Sequence, residues 1–545
     1  MSSLRLVLAS LAYHWRMNLA VAGGVAAGTA VLVGALLVGD SMRGSLRDLT
    51  LDRLGPIDEV LLTERFFREE LAREVNADTQ FTEHFSAAVP AILLRASVRI
   101  AGQQSGPRAN RVNLLGCDAR FWALGPGPPR ELSRKEIVLN RPLADKLGVA
   151  AGDDVILHLP DPGTVPGDSL LGKKRDTATS PRLSVAAVLP AERLGRFSLE
   201  PNQQLPLNAY VPLDGLQRRL DRPDRVNAIL VAAKAGDGDR PSENLDVLRQ
   251  RHELLEPLLR PTLADYGMQV TENEPDLPEP QRRQFRYLNV TSNRMLLEPE
   301  VEAAIHRALE GEEYQPVFTY LANAIDKEKR DAIVEEQDDD GTIIPYSTIT
   351  AVDFATTNPL GPFLTPDGDP IEPLEANAQA IVLNSWAADD LGVEPGAKIH
   401  VTYFEPESTR GEAPERTETF ELAAIADLAG PAKDKAFTPT VEGVTDKASI
   451  DEWEAPFFPF RRKLVRTKDD DYWQEHGLTP KAFVSLATGR QLWGSRFGHS
   501  TGFRVRQDDE MSVDSLSQKI QRELEPAKLG FAFQPVKRQG LEASV

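Results

Sequence analysis

The chain has 545 residues, a length that predicts two or more domains. Hydrophobic residues make up 41% and the mean hydropathy is −0.32, which excludes both a polytopic membrane protein and a disordered chain. The net charge of −20 argues against a nucleic-acid-binding protein, and the single cysteine, Cys117, excludes an intramolecular disulfide and a cysteine-rich zinc site.

The first predicted element is an uncharged run of 22 residues, Asn18–Gly39. A helix of this length spans the roughly 30 Å hydrocarbon core of a bilayer, so a transmembrane helix over 18–39 is the favoured interpretation. A cleaved signal peptide and a buried core helix are the alternatives. The small-x-small cleavage sites lie inside the apolar run, and an uncharged soluble helix is uncommon in a chain with 26% charged residues.

Residues 1–17 precede this run and place apolar side chains on one helical stripe. They are predicted to form a cytoplasmic amphipathic segment, which is either an early start of the membrane helix or a helix lying in the membrane interface. Residues 1–39 contain two arginines and no acidic residue, so the N-terminus is predicted to be cytoplasmic and the acidic remainder extracytoplasmic. The stripe consists of Leu4, Leu8, Leu11 and Trp15.

After the run, a helical pattern of leucines continues as far as Gly55 and Pro56, which end it. Residues 40–56 are therefore predicted to be a stalk helix that extends the membrane helix outwards.

The clearest internal repeat pairs residues 136–160 with residues 380–404 at a constant offset of 244. Both segments predict a strand, an asparagine N-cap, a short helix, a glycine C-cap, a turn and a second strand. The matched caps and turns are Asn140 with Asn384, Gly148 with Gly392, and Gly152 with Gly396.

Further elements recur in the same order in both halves, which indicates a tandem duplication. We predict an α+β fold in which two tandem repeats, 57–275 and 276–540, form a large extracytoplasmic domain, and 541–545 is a truncated end. The paired elements are opening helices (64–76 and 297–310), apolar strands (90–100 and 315–325), alternating strands (183–189 and 421–427), strand–helix units (208–217 and 481–491), closing helices (roughly 244–263 and 513–525) and closing strands (267–272 and 531–536).

No catalytic, cofactor-binding or metal-binding residue is predicted. Segment 167–174 approaches a phosphate-binding loop, but Lys174 replaces the hydroxyl residue and the strand–loop–helix context is missing. Segment 335–347 begins like a calcium loop, but Ser347 stands where a bidentate glutamate is needed. The eight histidines show no ligand spacing, and Cys117 is predicted to be a buried small hydrophobic residue.

Three segments are predicted to be loops: 160–181, 326–342 and 428–472. The last contains an aromatic cluster, 453–462, which either binds a partner or packs on its own domain.

Six segments resemble those of one family: residues 4–46, 113–124, 136–155, 195–213, 320–325 and 345–353. They are similar to the permease subunits of FtsX/MacB-type ABC transporters, the group that includes the lipoprotein-releasing permeases. The resemblance implies a protein that does mechanical work and no chemistry. In this family an ATPase hydrolyses ATP in the cytoplasm, and the motion passes through the membrane helices to the outer domain.

By this resemblance, residues 1–17 would contact the ATPase, 18–39 would transmit force and 40–56 would form the stalk. The implied partners are an ABC-type ATPase subunit, a second permease copy and membrane lipid, without nucleic acid. Family members have three further membrane helices, so the chain is predicted to be an incomplete permease, with apolar spans following Val545 if the sequence continues. The rival interpretations are a single-span anchored scaffold or binding protein, and an anchored hydrolase with an unrecognised site.

Overall fold

A long N-terminal helix leads into a body built around two β-sheets. The computed structural model describes residues 3–543, except 103–105, 129, 160–179, 201–203, 235–243, 274–284, 330–342, 356, 358, 377, 407–413, 441–443, 446, 454–459 and 509.

The predicted membrane helix and stalk form one uninterrupted helix. A short helix α1 (Ser3–Tyr13) precedes α2 (Trp15–Leu54), which has 40 residues and a length of about 60 Å. It ends where the sequence predicts, because Gly55 adopts a positive φ of 55° and donates to the carbonyl of Leu51 at 2.8 Å. The apolar side chains of the first half of α2 are exposed.

The first lobe contains a sheet in which six strands close into a barrel. Strand β2 pairs with β3, with β5 and with β8, so that β2, β3, β7, β4, β6 and β5 form the closed ring and β8 and β1 extend from it. The strands are β1 (Ile57–Arg68), β2 (Phe85–Ile100), β3 (Arg108–Cys117), β4 (Glu136–Asn140), β5 (Asp154–His158), β6 (Arg182–Leu189), β7 (Asn208–Pro212) and β8 (Arg225–Ala233).

The second lobe repeats this arrangement with the same strand order. Strands β11, β12, β16, β13, β15 and β14 form its barrel, and β17 and β10 extend from β11. The strands are β10 (Tyr287–Ser292), β11 (Tyr314–Asp326), β12 (Ile343–Ala351), β13 (Ala380–Asn384), β14 (Lys398–Phe404), β15 (Glu415–Ala426), β16 (Ala482–Val484) and β17 (Gly502–Arg506).

The repeated motif has the same local geometry in both lobes, which confirms the predicted tandem repeats. Asn140 accepts from Leu143 N and Asn384 accepts from Ala387 N, and each caps a seven-residue helix. Gly148 and Gly392 end these helices in the left-handed conformation. The parallel pairs β4–β6 and β13–β15 also share one bulge, between Ile137 and Val138 in the first lobe and between Ile381 and Val382 in the second.

Each sheet is completed by a strand from the other half of the chain. Strand β9 (Met268–Asn273) follows the first lobe but pairs with β10 of the second. Strand β18 (Phe533–Gln534) follows the second lobe but pairs with β1 of the first, with Val60 opposite Gln534. The two predicted closing strands therefore exist, but the sheets do not follow the predicted boundary between 275 and 276.

The remaining helices contact strands both inside and outside the barrels. One opening helix differs from its prediction: Glu64–Arg68 continues β1, and the helix begins only at Glu70. A single apolar core that includes Phe67, Leu288, Phe503 and Phe533 joins the two lobes. The helices are α3 (Glu70–Ala77), α4 (Thr79–His84), α5 (Ala119–Trp122), α6 (Arg141–Leu147), α7 (Leu213–Arg219), α8 (Leu245–Leu255), α9 (Pro299–Ala308), α10 (Ser385–Leu391), α11 (Thr467–His476), α12 (Leu486–Trp493), α13 (Val513–Glu523) and α14 (Val536–Glu542).

The described part of the 428–472 segment packs on its own lobe. Asp434 accepts from Nη2 of Arg504 at 3.0 Å, and the Arg504 guanidinium lies between the rings of Tyr287 and Phe437. Trp453, from the predicted aromatic cluster, is buried against Trp473 with ring centroids 4.9 Å apart. Residues 454–459 of the cluster lie outside the described residues, as do most of the other two predicted loops.

Candidate functional site at the base of the long N-terminal helix

The last turn of α2, here called the foot (Thr50–Leu54), is the part of the helix that enters the body. Thr50, Arg53 and Leu54 are buried, whereas the helix before them is largely exposed. Leu54 belongs to an apolar cluster with Ile57 and Val536. The foot is therefore anchored in the first lobe by one side chain from the start of β1 and one from the C-terminal helix α14.

The C-terminal helix α14 lies against the foot. A Cβ atom built on Gly540 would stand 2.6 Å from Cγ2 of Thr50, so the contact requires glycine. On another side, the backbone N–H of Arg193 donates to Asp52 Oδ1 at 3.1 Å. The foot is thus held by α14 and by the helical turn Arg193–Arg196 of the first lobe.

A buried ion cluster lies below the foot at the start of β1. Asp58 is the extra residue of a bulge between Ile57 and Glu59, and a bulge of this kind re-aims a side chain. Its carboxylate accepts from Lys537 of α14 and, at 2.9 Å, from Arg251 of α8. Lys537 is 0% exposed and Asp58 is 1% exposed. Asp58 therefore ties the end of the chain to α8 and to the strand that follows the foot.

Glu59, next to Asp58, is also buried and lies 3.0 Å from Nδ1 of His252. Burial, reinforced by the charge of Asp58, raises the pKa of Glu59 to about 8. Burial also lowers the pKa of His252. Both shifts favour the uncharged forms of the two side chains, which share one hydrogen bond between Glu59 Oε2 and His252 Nδ1.

A cavity of about 550 Å³ lies beside the foot. Its lining includes four arginines, Arg53, Arg95, Arg111 and Arg196, and one carboxylate, that of Glu200. Such a lining suits an anion. The site as a whole can bear load through buried packing and ion pairs, and it offers guanidinium donors to a negatively charged group.

The structure places the sequence-predicted candidates as follows. Residues 40–54 of the predicted stalk lead directly to the site, and Cys117 is buried as predicted, with burial raising the pKa of its thiol. Segment 167–174 lies outside the described residues, as do residues 335–342 of the calcium-like segment. Among the described residues, no group of three or more histidine, cysteine, aspartate or glutamate side chains is placed to hold a metal ion.

Sequence reasoning missed the arginine-lined cavity and the Asp58–Lys537 pair. Their members are distant in the chain, and Lys537 lies 479 residues from Asp58. The local sequence gives no signal for the buried lysine, because Arg538 and Gln539 follow it directly.

One known protein family matches the part of the chain that contains this site. Residues 19–245 match the MacB-like periplasmic core domain. The match begins in the apolar half of α2, includes the foot and ends at the start of α8, so it covers the MacB-like strands β1 to β8. In the described residues, α2 is also the one helix long and apolar enough to cross a membrane, a test that an N-terminal signal sequence would pass as well.

Two solved structures show a similarity of limited extent to this chain. The periplasmic region of MacB from Actinobacillus actinomycetemcomitans is 13% identical, with 38% of this chain and 88% of that chain covered and a TM-score of 0.24. The extracellular domain of the noncanonic ABC-type transporter YknZ from Gram-positive bacteria is 12% identical, with 37% and 91% covered and a TM-score of 0.23. No curated protein matches the chain.

Proposed function

We propose that this chain is a permease subunit of an FtsX/MacB-type ABC transporter. It couples ATP hydrolysis by a cytoplasmic partner to movement of its extracytoplasmic domain. The observation that carries this proposal is the unbroken helix α2, which runs about 60 Å from an exposed apolar segment to a foot buried in the MacB-like domain. The protein acts mechanically and catalyses no reaction itself.

In this proposal the N-terminus is cytoplasmic and residues 57–540 lie outside the plasma membrane. Residues 1–17 contact an ABC-type ATPase, residues 18–39 cross the bilayer, and a second permease copy completes the membrane part. The 22 uncharged residues and the acidic body support this orientation. Reporter fusions at Gly55 and after residue 540 are expected to report export, and a cytoplasmic signal at either position contradicts the topology.

The coupling is tested by interrupting α2 between the apolar segment and the foot. Ser45 lies in the exposed part of the helix, where proline removes one backbone donor and kinks the helix. In cells that contain the partner ATPase, Ser45→Pro is expected to abolish the transporter's function while the chain remains folded and membrane-bound. The matched control, Ser45→Ala, is expected to retain full function. Full function of the proline variant would overturn the mechanical role.

A single-span anchored scaffold or binding protein is the second candidate. The observation that favours it is the one membrane-length helix within the described residues. Deletion of the partner ATPase distinguishes the two, because a scaffold keeps its cellular function without the ATPase and a permease loses it.

A further inference from the structure

The arginine-lined cavity beside the foot concentrates positive charge in a chain whose net charge is −20. Arg53 comes from α2, Arg95 from β2, Arg111 from β3 and Arg196 from the turn that contacts the foot. These positions are separated in the chain and converge only in the folded molecule. The lining includes one carboxylate against four guanidinium groups, so the cavity has an excess of positive charge.

Arg53 is the buried member of this set. Arg53 is 6% exposed, and no atom in the described part of the chain accepts a hydrogen bond from its Nη1. A buried guanidinium without an acceptor is costly, because it loses its hydration and gains no hydrogen bond in return. Arg53 is also one of the residues that line the cavity.

The other guanidinium groups differ in what they contact. Arg95 donates to Asn113 Oδ1 and, at 3.0 Å, to Glu200 Oε1, which uses the one lining carboxylate. Across the described residues, Arg53, Arg111 and Arg196 form no ion pair. Three guanidinium groups in one cavity therefore have no anionic partner within the described chain.

We propose that this cavity binds a phosphate group. A guanidinium donates two parallel hydrogen bonds to a tetrahedral oxyanion, and several such forks bind the multiple oxygens of a phosphate. The rim adds an apolar contact, because Leu205 is 46% exposed beside Pro206. This rim fits the organic part of a phosphate ester. The inference goes beyond the proposed function and does not depend on an ATPase.

Two sources can supply the phosphate: a soluble phosphate compound or a phospholipid headgroup. Arg53 lies fourteen residues beyond Gly39, about 21 Å further along the helix. The interfacial layer of a bilayer leaflet is roughly 5–8 Å thick. A lipid whose headgroup is bound at Arg53 would therefore have left the bilayer surface. Separate measurements of lipid binding and of soluble-phosphate binding distinguish the two sources.

The test uses the full chain in nonionic detergent at constant ionic strength. Binding heats are measured for inorganic phosphate, for glycerol 3-phosphate and for a short-chain phosphatidylglycerol below its micellar concentration. Calorimetric binding is preferred to thermal stability, because phosphate stabilises many proteins by exclusion from their surface. The wild-type chain is expected to show saturable binding of at least one of these ligands.

The variants Arg196→Gln and Arg111→Gln are expected to weaken binding at least tenfold, since each removes one cavity guanidinium; Arg196 is half-buried and Arg111 is exposed. Arg53→Met keeps the length of the buried stem and is expected to abolish binding; if it does not fold, the variants at Arg111 and Arg196 decide. Arg141→Gln, an exposed arginine on α6 of the same lobe, is the matched control and is expected to bind like the wild type.

Tenfold tighter binding of the lipid than of inorganic phosphate would assign the site to a headgroup, and comparable binding would assign it to soluble phosphate. Either result supports the proposal when the arginine variants weaken it. No saturable binding, or equal binding by the wild type and by Arg111→Gln and Arg196→Gln, would overturn it.

Discussion

Gly540 of α14 lies directly against Thr50 of α2, because a Cβ atom on the glycine would stand 2.6 Å from the Thr50 Cγ2 and 3.2 Å from the Arg53 Nη2. The missing side chain lets the two helices meet at the foot. The position of α2 relative to the body therefore depends on one glycine near the other end of the described chain.

Gly540→Ala is expected to destabilise the protein by about 1–3 kcal/mol through overpacking. The expected sign is opposite to the usual one, because replacing glycine by alanine within a helix normally stabilises the helix by roughly 1 kcal/mol. The measurement is the free energy of unfolding in denaturant. Gly44→Ala, on the exposed part of α2 with no atom within 4 Å of its added Cβ, is the control and is expected to be neutral or stabilising. Equal effects of the two substitutions would contradict the contact.

The Asn140 side chain stabilises more than a helix end. Its Oδ1 accepts from Leu143 N and Asn208 N, while its Nδ2 donates to the carbonyls of Gly195 and Pro206 at 2.8 and 2.7 Å. Asn140→Ala is expected to cost about 2–4 kcal/mol, since a cap and buried hydrogen bonds are lost together.

Two further variants separate the contributions at Asn140. Asn140→Asp keeps the cap acceptor but turns an oxygen towards two carbonyls, so it is expected to be at least as destabilising as alanine. Asn244→Ala removes an exposed cap of α8 and is expected to cost only about 1 kcal/mol. If all three variants cost the same, the buried donor of Asn140 contributes nothing.

The ion cluster below the foot predicts an asymmetry between its partners. Asp58→Asn leaves Lys537 buried without its counter-charge and is expected to cost about 3–5 kcal/mol. Lys537→Met leaves Asp58 paired with Arg251 and is expected to cost less. In chemical unfolding, the Asp58→Asn/Lys537→Met double variant is expected to recover part of the loss. Additive costs would show that the two side chains do not interact.

Glu59 predicts a pH dependence of stability. Because its pKa is raised from about 4.5 in the unfolded chain to about 8 in the folded protein, the folded state holds an extra proton between these values. The stabilisation is complete below pH 4.5 and is lost as the pH rises to about 8, by at most about 1.4 kcal/mol for each pH unit. The wild-type minus Glu59→Gln difference in unfolding free energy should therefore fall from pH 5 to pH 8. A constant difference over this range would contradict the raised pKa.

The repeated motif could be predicted from the sequence because its signals are local. Asn140 and Gly148 cap and end one short helix, and Asn384 and Gly392 do the same in the second lobe. The end of α2 could be predicted for the same reason, since Gly55 and Pro56 are residues that commonly end a helix.

Long-range pairings could not be predicted. Segment Glu64–Arg68 contains charged residues beside two phenylalanines, which suits a helix face, but pairing of Phe67 with Val226 makes it a strand. The exchange of β9 and β18 between the sheets could not be predicted from the sequence repeat. The two strands occupy equivalent positions in the two halves of the chain, and the repeat does not show which sheet each strand joins. The arginines of the cavity share no spacing, and only the fold brings them together.

The exchange of closing strands also determines when the first lobe can finish folding. Strand β1 pairs with β18, and the nearby ion pair joins Asp58 to Lys537, 479 residues later in the chain. At roughly 5–20 residues per second, synthesis of that interval takes about 25–95 seconds. Throughout this time the outer edge of β1 has no native partner, and an unpaired strand edge is a template for aggregation. Until β18 has been synthesised, this edge of β1 is therefore open to pairing with a strand of another chain.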